Sequence, residues 1–278
     1  MNVASLITEG YVSLRYPKEL RVLVEEAMAA WNRFCELPYD EKAKLSGGDR
    51  VLDHGYMLRK DDGPKSDDKE LFHLIKRNMP ALRAQADTVT DRAAVRFVHA
   101  VDVLIDAVMP HVVHFGRDVE RVYGISGFER DVAESSRDWT FRFLNYRPGK
   151  PIMAAEHVDR GGFTLHLYES AQGGQYFGRD RQWHDWPVDH DHTIIFPSMT
   201  MQHRSQCLLK GLCHRVVATE ETIRTGRQSM VAFIDFDHSH IFNKFSGIRM
   251  QDFAPGALSD MPFSEFDKLF IPRKDRAA

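Results

Sequence analysis

Residues 163–170 of the chain, FTLHLYES, alternate apolar and polar positions as a strand with one buried face does. Three other short runs are rich in aromatic and β-branched residues, which favour strands: WTFRFLNYRPG (139–149), TIIFPS (193–198) and RQSMVAFIDF (227–236). Clusters of Gly, Pro and Asp separate the runs. Several short strands after a helical block are typical of an antiparallel jelly roll, or double-stranded β-helix, with helices outside it. We therefore predict an α+β fold with that core.

The part of the chain before residue 138 has mainly helical periodicity. The apolar residues within 18–36 recur at helical spacing and form one stripe, which predicts a helix there. A long helix is also predicted from Thr90 to about Tyr123, and Pro110 should kink or divide it. A polar stretch at 47–68 predicts a loop with one short strand at 55–59.

The sequence contains no convincing linker or internal repeat, and we predict one domain over residues 1–278. Its parts would be a mainly helical segment at 1–135, a jelly-roll catalytic core at 138–240 and a closing segment at 241–278. Within the closing segment, MPFSEFDKLF (261–270) predicts a short C-terminal helix.

Composition excludes several classes of protein. The chain has 278 residues, 43% of them hydrophobic and 28% charged, with a net charge of −3, which is typical of an ordinary globular protein. That charge gives no reason to expect nucleic acid or an anionic membrane as a partner. The first 20 residues lack a signal-peptide pattern, and no apolar run reaches the roughly 18 residues of a membrane helix. A cytoplasmic location is expected from three cysteines with no paired spacing: Cys35, Cys207 and Cys213.

Candidate metal ligands lie at the start of the alternating segment. His157 and Asp159 would point to the same side of a strand, because they are two residues apart. Such a triplet arises about once by chance in a chain with this many His and Asp residues, so its position before Gly161-Gly162 and the strand carries the argument. A third ligand must come from a distant strand. His214 fits, although several other histidines could serve. Two nitrogens and one carboxylate suit a ferrous ion with open coordination positions.

Arg227 and Ser229 repeat the two-residue spacing at the start of the last apolar run. A guanidinium binds a carboxylate through two parallel hydrogen bonds, and a hydroxyl adds a third, so this pair suits a dicarboxylate co-substrate. A lone Arg-x-Ser is more often an exposed strand start; its place shortly after His214 is what favours a site. The segment 184–192, HDWPVDHDH, is interpreted as a solvated connection rather than a second metal site.

In this order the motifs resemble the iron(II)- and 2-oxoglutarate-dependent dioxygenases, specifically the isopenicillin N synthase-like branch. The resemblance is not limited to the ligands and covers whole segments, namely LPYDEKAKL (37–45), DDKELFHL (67–74), FLNYRPG (143–149), HVDRGGFTLHLYES (157–170), GGQYFGRDRQWHDWP (173–187), HRVV (214–217) and RQSMVAF (227–233). One departure is Arg147, which stands where many relatives have a second tyrosine.

The resemblance implies a double-stranded β-helix fold with iron(II) as cofactor, 2-oxoglutarate as co-substrate and dioxygen as oxidant. The implied iron ligands are His157, Asp159 and His214. The implied co-substrate residues are Arg227, Ser229 and Asn145.

The expected reaction is oxidation, most simply hydroxylation, of a small molecule, with formation of succinate and carbon dioxide. Desaturation, ring closure and demethylation use the same ligands. An oxidase or cyclase of this fold that does not use 2-oxoglutarate, and a non-catalytic binding protein, are the alternatives. Candidate substrate residues are Tyr56, Phe72, Arg142, Phe163, Phe233 and Phe236, with His238 as a further candidate; either Arg142 or Arg147 could meet a substrate carboxylate.

Overall fold

The computed structural model describes residues 1–47, 54–60, 68–149, 151–236, 240–243 and 252–272. None of the helices in these ranges is both long and apolar enough to cross a membrane. The helices are α1 (Ser5–Thr8), α2 (Lys18–Cys35), α3 (Tyr39–Ala43), α4 (Met79–Ala86), α5 (Ala93–Tyr123), α6 (Phe128–Glu134), α7 (Met199–Arg204), α8 (Glu220–Thr225), α9 (Ala257–Asp260) and α10 (Phe263–Phe266).

The strands form two main antiparallel sheets and one short strand pair, so the predicted α+β class with antiparallel sheets is confirmed. The larger sheet has the order β1-β9-β6-β11-β4-β3-β2, the smaller sheet β5-β10-β7-β8, and the pair β12-β13. These strands are β1 (Val12–Arg15), β2 (Gly55–Arg59), β3 (Lys69–Ile75), β4 (Thr140–Tyr146), β5 (Ile152–His157), β6 (Phe163–Glu169), β7 (Gly174–Phe177), β8 (Trp183–Asp185), β9 (His192–Pro197), β10 (His214–Val217), β11 (Arg227–Ile234), β12 (His240–Phe242) and β13 (Phe270–Pro272).

The larger sheet takes three of its strands from the N-terminal part of the chain. Strand β2 lies at the predicted position 55–59, but β1 and β3 were not predicted. Six of the seven residues of β3 are buried, so it lacks the alternation that marks a half-exposed strand. The N-terminal part is therefore helical and also completes the sheet.

One face of the larger sheet packs against helices α2 and α5. Phe143 of β4 lies 5.8 Å from Trp31 of α2 and 5.1 Å from Phe97 of α5, measured between ring centroids. Helix α5 runs through Pro110 as one element, so the proline does not divide it. Buried neighbours on both sides, Val108 and Val112, hold the helix against the core and offset the hydrogen bond that proline cannot donate.

The opposite face of the larger sheet turns toward the smaller sheet and carries polar side chains. Strand β4 shows the division, because Phe141 and Phe143 belong to the helix-facing core whereas Arg142 and Leu144 line a cavity on the other side. The predicted short C-terminal helix is present as α10, which a 3-10 turn at Asp267–Leu269 extends, and residues 270–272 then form β13.

We expect Phe97→Ala to lower the free energy of unfolding by about 3–5 kcal/mol, because the substitution leaves a cavity among packed aromatic rings. Val103→Ala on the same helix is the matched control: Val103 is 39% exposed, and its loss should change stability by no more than about 0.5 kcal/mol. Urea unfolding of both variants measures the difference. Equal losses would contradict this description of the core.

Candidate functional site

Three metal-ligand side chains meet between the two sheets. His157 ends β5 and His214 opens β10, and the pairing of these strands sets the two residues directly opposite each other. Asp159 lies just beyond β5, not within a strand as predicted. Its carboxylate oxygens are 3.5 Å from Nε2 of His157 and 3.6 Å from Nε2 of His214. The donor atoms of all three residues lie within 4.8 Å of one another, and no other group among the described residues fits a metal ion in this way.

Hydrogen bonds orient each of these side chains. Nδ1 of His157 bonds to the carbonyl oxygen of Ala155 at 2.7 Å, and Nδ1 of His214 bonds to that of Leu212 at 3.0 Å. With Nδ1 donating to a carbonyl, Nε2 keeps its lone pair toward Asp159. The hydroxyl of Thr164, from β6 of the larger sheet, donates to Oδ2 of Asp159 at 2.6 Å. Both sheets therefore hold the cluster.

The pKa values of Asp159 and His214 leave these two donors in the states that a metal requires, whereas the pKa of His157 lies above its ordinary value, because the Asp159 carboxylate and the Ala155 carbonyl outweigh the effect of burial. Burial opposes ionisation of Asp159, but His214, His157 and the Thr164 hydroxyl outweigh it and hold the pKa of the carboxyl below its ordinary value. Burial and the neighbouring His157 lower the pKa of His214 to about 4. At neutral pH the cluster therefore offers a carboxylate and an uncharged imidazole at these two positions.

A cavity of about 80 Å³ adjoins the cluster, and we call it the inner cavity. Its wall includes Arg227 and Ser229 of β11, each only 2% exposed. Nε of Arg227 donates to the carbonyl oxygen of Ala171 at 3.0 Å, and Nη2 contacts Glu169. Nη1 of Arg227 is buried without a hydrogen-bond partner among the described residues. A bound anion would accept the hydrogen bond that this buried nitrogen otherwise lacks.

Several residues around the inner cavity were not predicted from the sequence. Lys69 and His166 line it, and Glu169 contacts Arg227. The ring of Trp186 packs in a tilted arrangement near the rings of His166 and His214, at centroid distances of 5.4 and 5.7 Å. The position of His166 could have been predicted, because His166 and Thr164 occupy polar positions of the alternating segment and so lie on the same face of the strand.

Asn145 does not lie at the inner cavity. Cross-strand pairing puts Tyr146 opposite Arg227 and Leu144 opposite Ser229, so these four residues share one face of the sheet. Asn145 lies on the other face and hydrogen-bonds the Cys35 side chain of α2. The alternation of β4 therefore does not bring Asn145 to the inner cavity, where the resemblance implied a place beside the co-substrate.

A second cavity, of about 460 Å³, shares His157 and Asp159 with the inner one, and we call it the outer cavity. Arg142 and Phe233, two of the predicted substrate residues, line both cavities. The remaining wall of the outer cavity consists of His73, Thr140, Val158, Arg160, Gly161 and Asp235.

Four of the predicted substrate residues lie elsewhere, in the apolar core. Tyr56 and Phe72 pack against Phe34, at ring-centroid distances of 6.0 and 5.4 Å. Phe163 and Phe236 pack against Phe128, at 5.9 and 5.0 Å. These aromatic side chains face the helices because burial against them removes more apolar surface from water than a cavity wall would. His238 lies outside the described residues.

Arg142 contacts His73 and Phe233 in the outer cavity. Its Nε donates to Nε2 of His73 at 2.6 Å, and its guanidinium carbon lies 4.5 Å from the ring centroid of Phe233. Burial, and then the charge of Arg142, lower the pKa of His73 to about 2, so the ring is neutral and accepts this bond. Arg147 lies instead near Glu70 and Asp68, at 3.4 and 3.8 Å.

Neutral His73 makes the stability depend on pH. Below the ordinary pKa of 6.5 the unfolded chain binds a proton that folded His73 does not, so stability falls as the pH drops. Between pH 6.5 and 4.5 we expect the wild type to lose roughly 1 kcal/mol per pH unit more than His73→Gln. Urea titrations measure this, with His99→Gln, an exposed residue of α5, as the control. Parallel pH profiles for wild type and His73→Gln would contradict the neutral assignment.

No family model matches the sequence, and no curated protein matches it. Solved structures do match in fold. A full-length Neurospora crassa protein in complex with alpha-KG and 5-formyluracil is 18% identical, with a TM-score of 0.69 over 90% of this chain and 82% of that one. A Caulobacter crescentus protein assigned to the 2OG-Fe(II) oxygenase family is 20% identical, with a TM-score of 0.67 over 95% and 90%. The rice dioxygenase for auxin oxidation is 16% identical, with a TM-score of 0.66 over 96% and 86%. The chain therefore has the fold of the 2-oxoglutarate- and iron(II)-dependent oxygenases.

Proposed function

We propose that the protein is an iron(II)- and 2-oxoglutarate-dependent oxygenase that hydroxylates a small molecule and forms succinate and carbon dioxide. One observation carries the proposal: three converging metal donors line the same small cavity as a buried arginine, one of whose nitrogens has no partner among the described residues. Either feature alone occurs in other kinds of site. Together they supply a place for a metal and a place for an anion that lies beside it.

The donor set fits iron(II). Two imidazole nitrogens and one carboxylate are the ligands that leave coordination positions open for a co-substrate and dioxygen. We assign this role to His157, Asp159 and His214. The bound iron would supply the activation of dioxygen. The protein's part is to fix both Nε2 atoms through backbone carbonyls and the carboxylate through Thr164.

Arg227 and Ser229 would bind the distal carboxylate of 2-oxoglutarate. Both side chains are buried on the same face of β11, and Glu169 and the Ala171 carbonyl hold the guanidinium in place. Lys69, whose Nζ lies 5.2 Å from the ring centroid of Tyr146, adds a second positive charge to this cavity. Apolar walls that include Trp186, Phe196 and Val231 would exclude water from the bound co-substrate.

The outer cavity would receive the substrate, because it is the larger of the two cavities and is lined by the same metal donors, His157 and Asp159. For the architecture we propose one jelly-roll domain of the isopenicillin N synthase-like branch. In support, the chain passes back and forth between the two sheets from β4 to β11.

The ligand assignment predicts that His157→Ala and His214→Ala lower 2-oxoglutarate-dependent succinate formation by at least about 100-fold, because each removes a metal ligand. Anaerobic titration with Fe(II) should show weakened binding in both variants, while the metal-free proteins unfold cooperatively. His99→Ala, on the exposed side of α5, is the control and should retain turnover. Near-normal turnover in either site variant would rule out the assignment.

For Arg227→Ala, we expect the 2-oxoglutarate concentration at half-maximal rate to rise by roughly 10- to 100-fold, because a charge-assisted pair of hydrogen bonds is lost. Oxygen uptake and succinate release, each measured across a 2-oxoglutarate series, give the answer. Oxygen uptake by the wild type that needs no 2-oxoglutarate would favour an oxidase or cyclase instead. An unchanged 2-oxoglutarate requirement would remove Arg227 from the site.

A further inference from the structure

We propose that Glu169 positions Arg227 for 2-oxoglutarate and takes up one proton from solvent when this co-substrate binds. The inference rests on the proposed function for the identity of the anion. Glu169 is not among the described residues that line the inner cavity, so it would act through Arg227 as a positioning residue.

Glu169 and Arg227 form an ion pair in the interior of the protein. The carboxylate of Glu169 contacts Nη2 of Arg227, and only 8% and 1% of the two side chains are exposed. The carbonyl oxygen of Ala171 accepts a hydrogen bond from Nε of the same guanidinium. These two contacts leave Nη1 as the nitrogen that has no partner among the described residues. The hold on Arg227 therefore also decides which nitrogen is available to an anion in the inner cavity.

A bound co-substrate would bring a second carboxylate to the same guanidinium. Arg227 carries one positive charge, which Glu169 already compensates. Lys69, the other cation of the inner cavity, belongs to β3, which is separated from β6 by β11 and β4. Two carboxylates that share one buried site repel each other, and this repulsion favours the protonated form of one of them.

Protonation of Glu169 removes the repulsion without releasing Arg227. One O–H bond forms at the Glu169 carboxyl group, the proton comes from the buffer, and no bond in 2-oxoglutarate breaks. The carbonyl oxygen of the protonated group still accepts a hydrogen bond from Nη2 of Arg227. The guanidinium then keeps its position and directs its full charge to the co-substrate.

The surroundings of Glu169 already favour its protonated form. Burial, opposed by Arg227 and assisted by the Asp185 carboxylate of β8, raises the pKa of Glu169 to about 7. Nε2 of His166 lies 3.8 Å from the Glu169 carboxylate. Burial, and then the charge of Arg227, lower the pKa of His166 to about 3, so its ring is uncharged near neutral pH. Another carboxylate on Arg227 would raise the pKa of Glu169 further, so that a group mainly ionised at pH 8 becomes protonated.

A third cavity gives Glu169 access to solvent protons. This cavity, of about 180 Å³, is lined by Glu169, and we call it the surface cavity. Besides Glu169, the ionisable residues of its wall are Tyr16, Arg21, Glu25, Tyr168, Asp189 and His190. Because Glu25, Asp189 and His190 are exposed, water can enter from this side. Glu169 thus lies between the surface cavity and Arg227, and its proton need not pass through the inner cavity.

Calorimetric titration of the Fe(II)-loaded full chain with 2-oxoglutarate tests the inference under anaerobic conditions at pH 8. Titrations in HEPES and in Tris, which differ in ionisation enthalpy, give the number of protons taken up. We expect the wild type to take up at least about 0.5 proton per co-substrate more than Glu169→Gln, because only the wild type has the titrating carboxyl group. Protons exchanged at the metal are common to both proteins and cancel in this difference.

The pH dependence of affinity gives a second measurement. Between pH 7 and 8.5 we expect the ratio of the wild-type Kd to the Glu169→Gln Kd to rise roughly tenfold, because the wild type must bind a proton that becomes scarcer. Glu169→Ala should bind 2-oxoglutarate more weakly than Glu169→Gln, since alanine offers Arg227 no hydrogen-bond acceptor. A purely structural role for Glu169 would leave the ratio constant with pH.

Glu25→Gln is the matched control, because Glu25 lines the same surface cavity, on α2, and it should keep the proton uptake of the wild type. Equal proton uptake by wild type and Glu169→Gln, or a Kd ratio that does not change with pH, would overturn the inference and leave the oxygenase assignment standing. Equal affinities of Glu169→Ala and Glu169→Gln would overturn the positioning role. Absence of 2-oxoglutarate binding by the wild type would overturn the proposed function as well.

Discussion

The pairing of β5 with β10 is the interaction on which the site depends. It sets His157 opposite His214, although 57 positions separate them in the chain (214 − 157 = 57). Two imidazole rings on adjacent antiparallel strands lie close enough to share one ion, here with ring centroids 4.3 Å apart. Asp159 lies in the turn directly after β5, where its carboxylate is close to both rings. The hydroxyl of Thr164 donates a hydrogen bond to this carboxylate and so connects the turn to the larger sheet. A slip of one residue in this pairing would turn one imidazole to the other face of the sheet.

The two faces of the larger sheet differ in composition, since one is apolar and the other carries charged and polar side chains. The face toward α2 and α5 is filled by aromatic rings and supplies the stability that burial of apolar surface gives. The face toward the smaller sheet buries charged and polar groups, among them Arg227, Glu169 and His166. Buried charges cost free energy even when they are paired, and their concentration on one face is typical of a functional interior.

Two arginines near the metal donors differ in their surroundings. Arg227 is buried beside the Glu169 carboxylate and lines only the inner cavity, whereas Arg142 contacts the imidazole of His73 and the ring of Phe233 and lines both cavities. Both cavities share His157 and Asp159, so ligands bound in the two cavities would meet at the same metal donors.

The sequence by itself determined the parts that depend on local spacing. Alternation placed β6, aromatic and β-branched content placed β11, and the helical period placed α2 and α5. The order of His157, Asp159, His214 and Arg227, together with the family resemblance, predicted that these four residues lie near one another. Only the tertiary structure decided which face of β4 lines the site, so that Asn145 contacts Cys35 and Tyr146 lies opposite Arg227. It likewise decided that β3 joins the sheet and brings His73 to Arg142. The physical reason is that periodicity is a property of neighbouring residues, whereas the register of strands separated by tens of residues is fixed by the packing of the whole core.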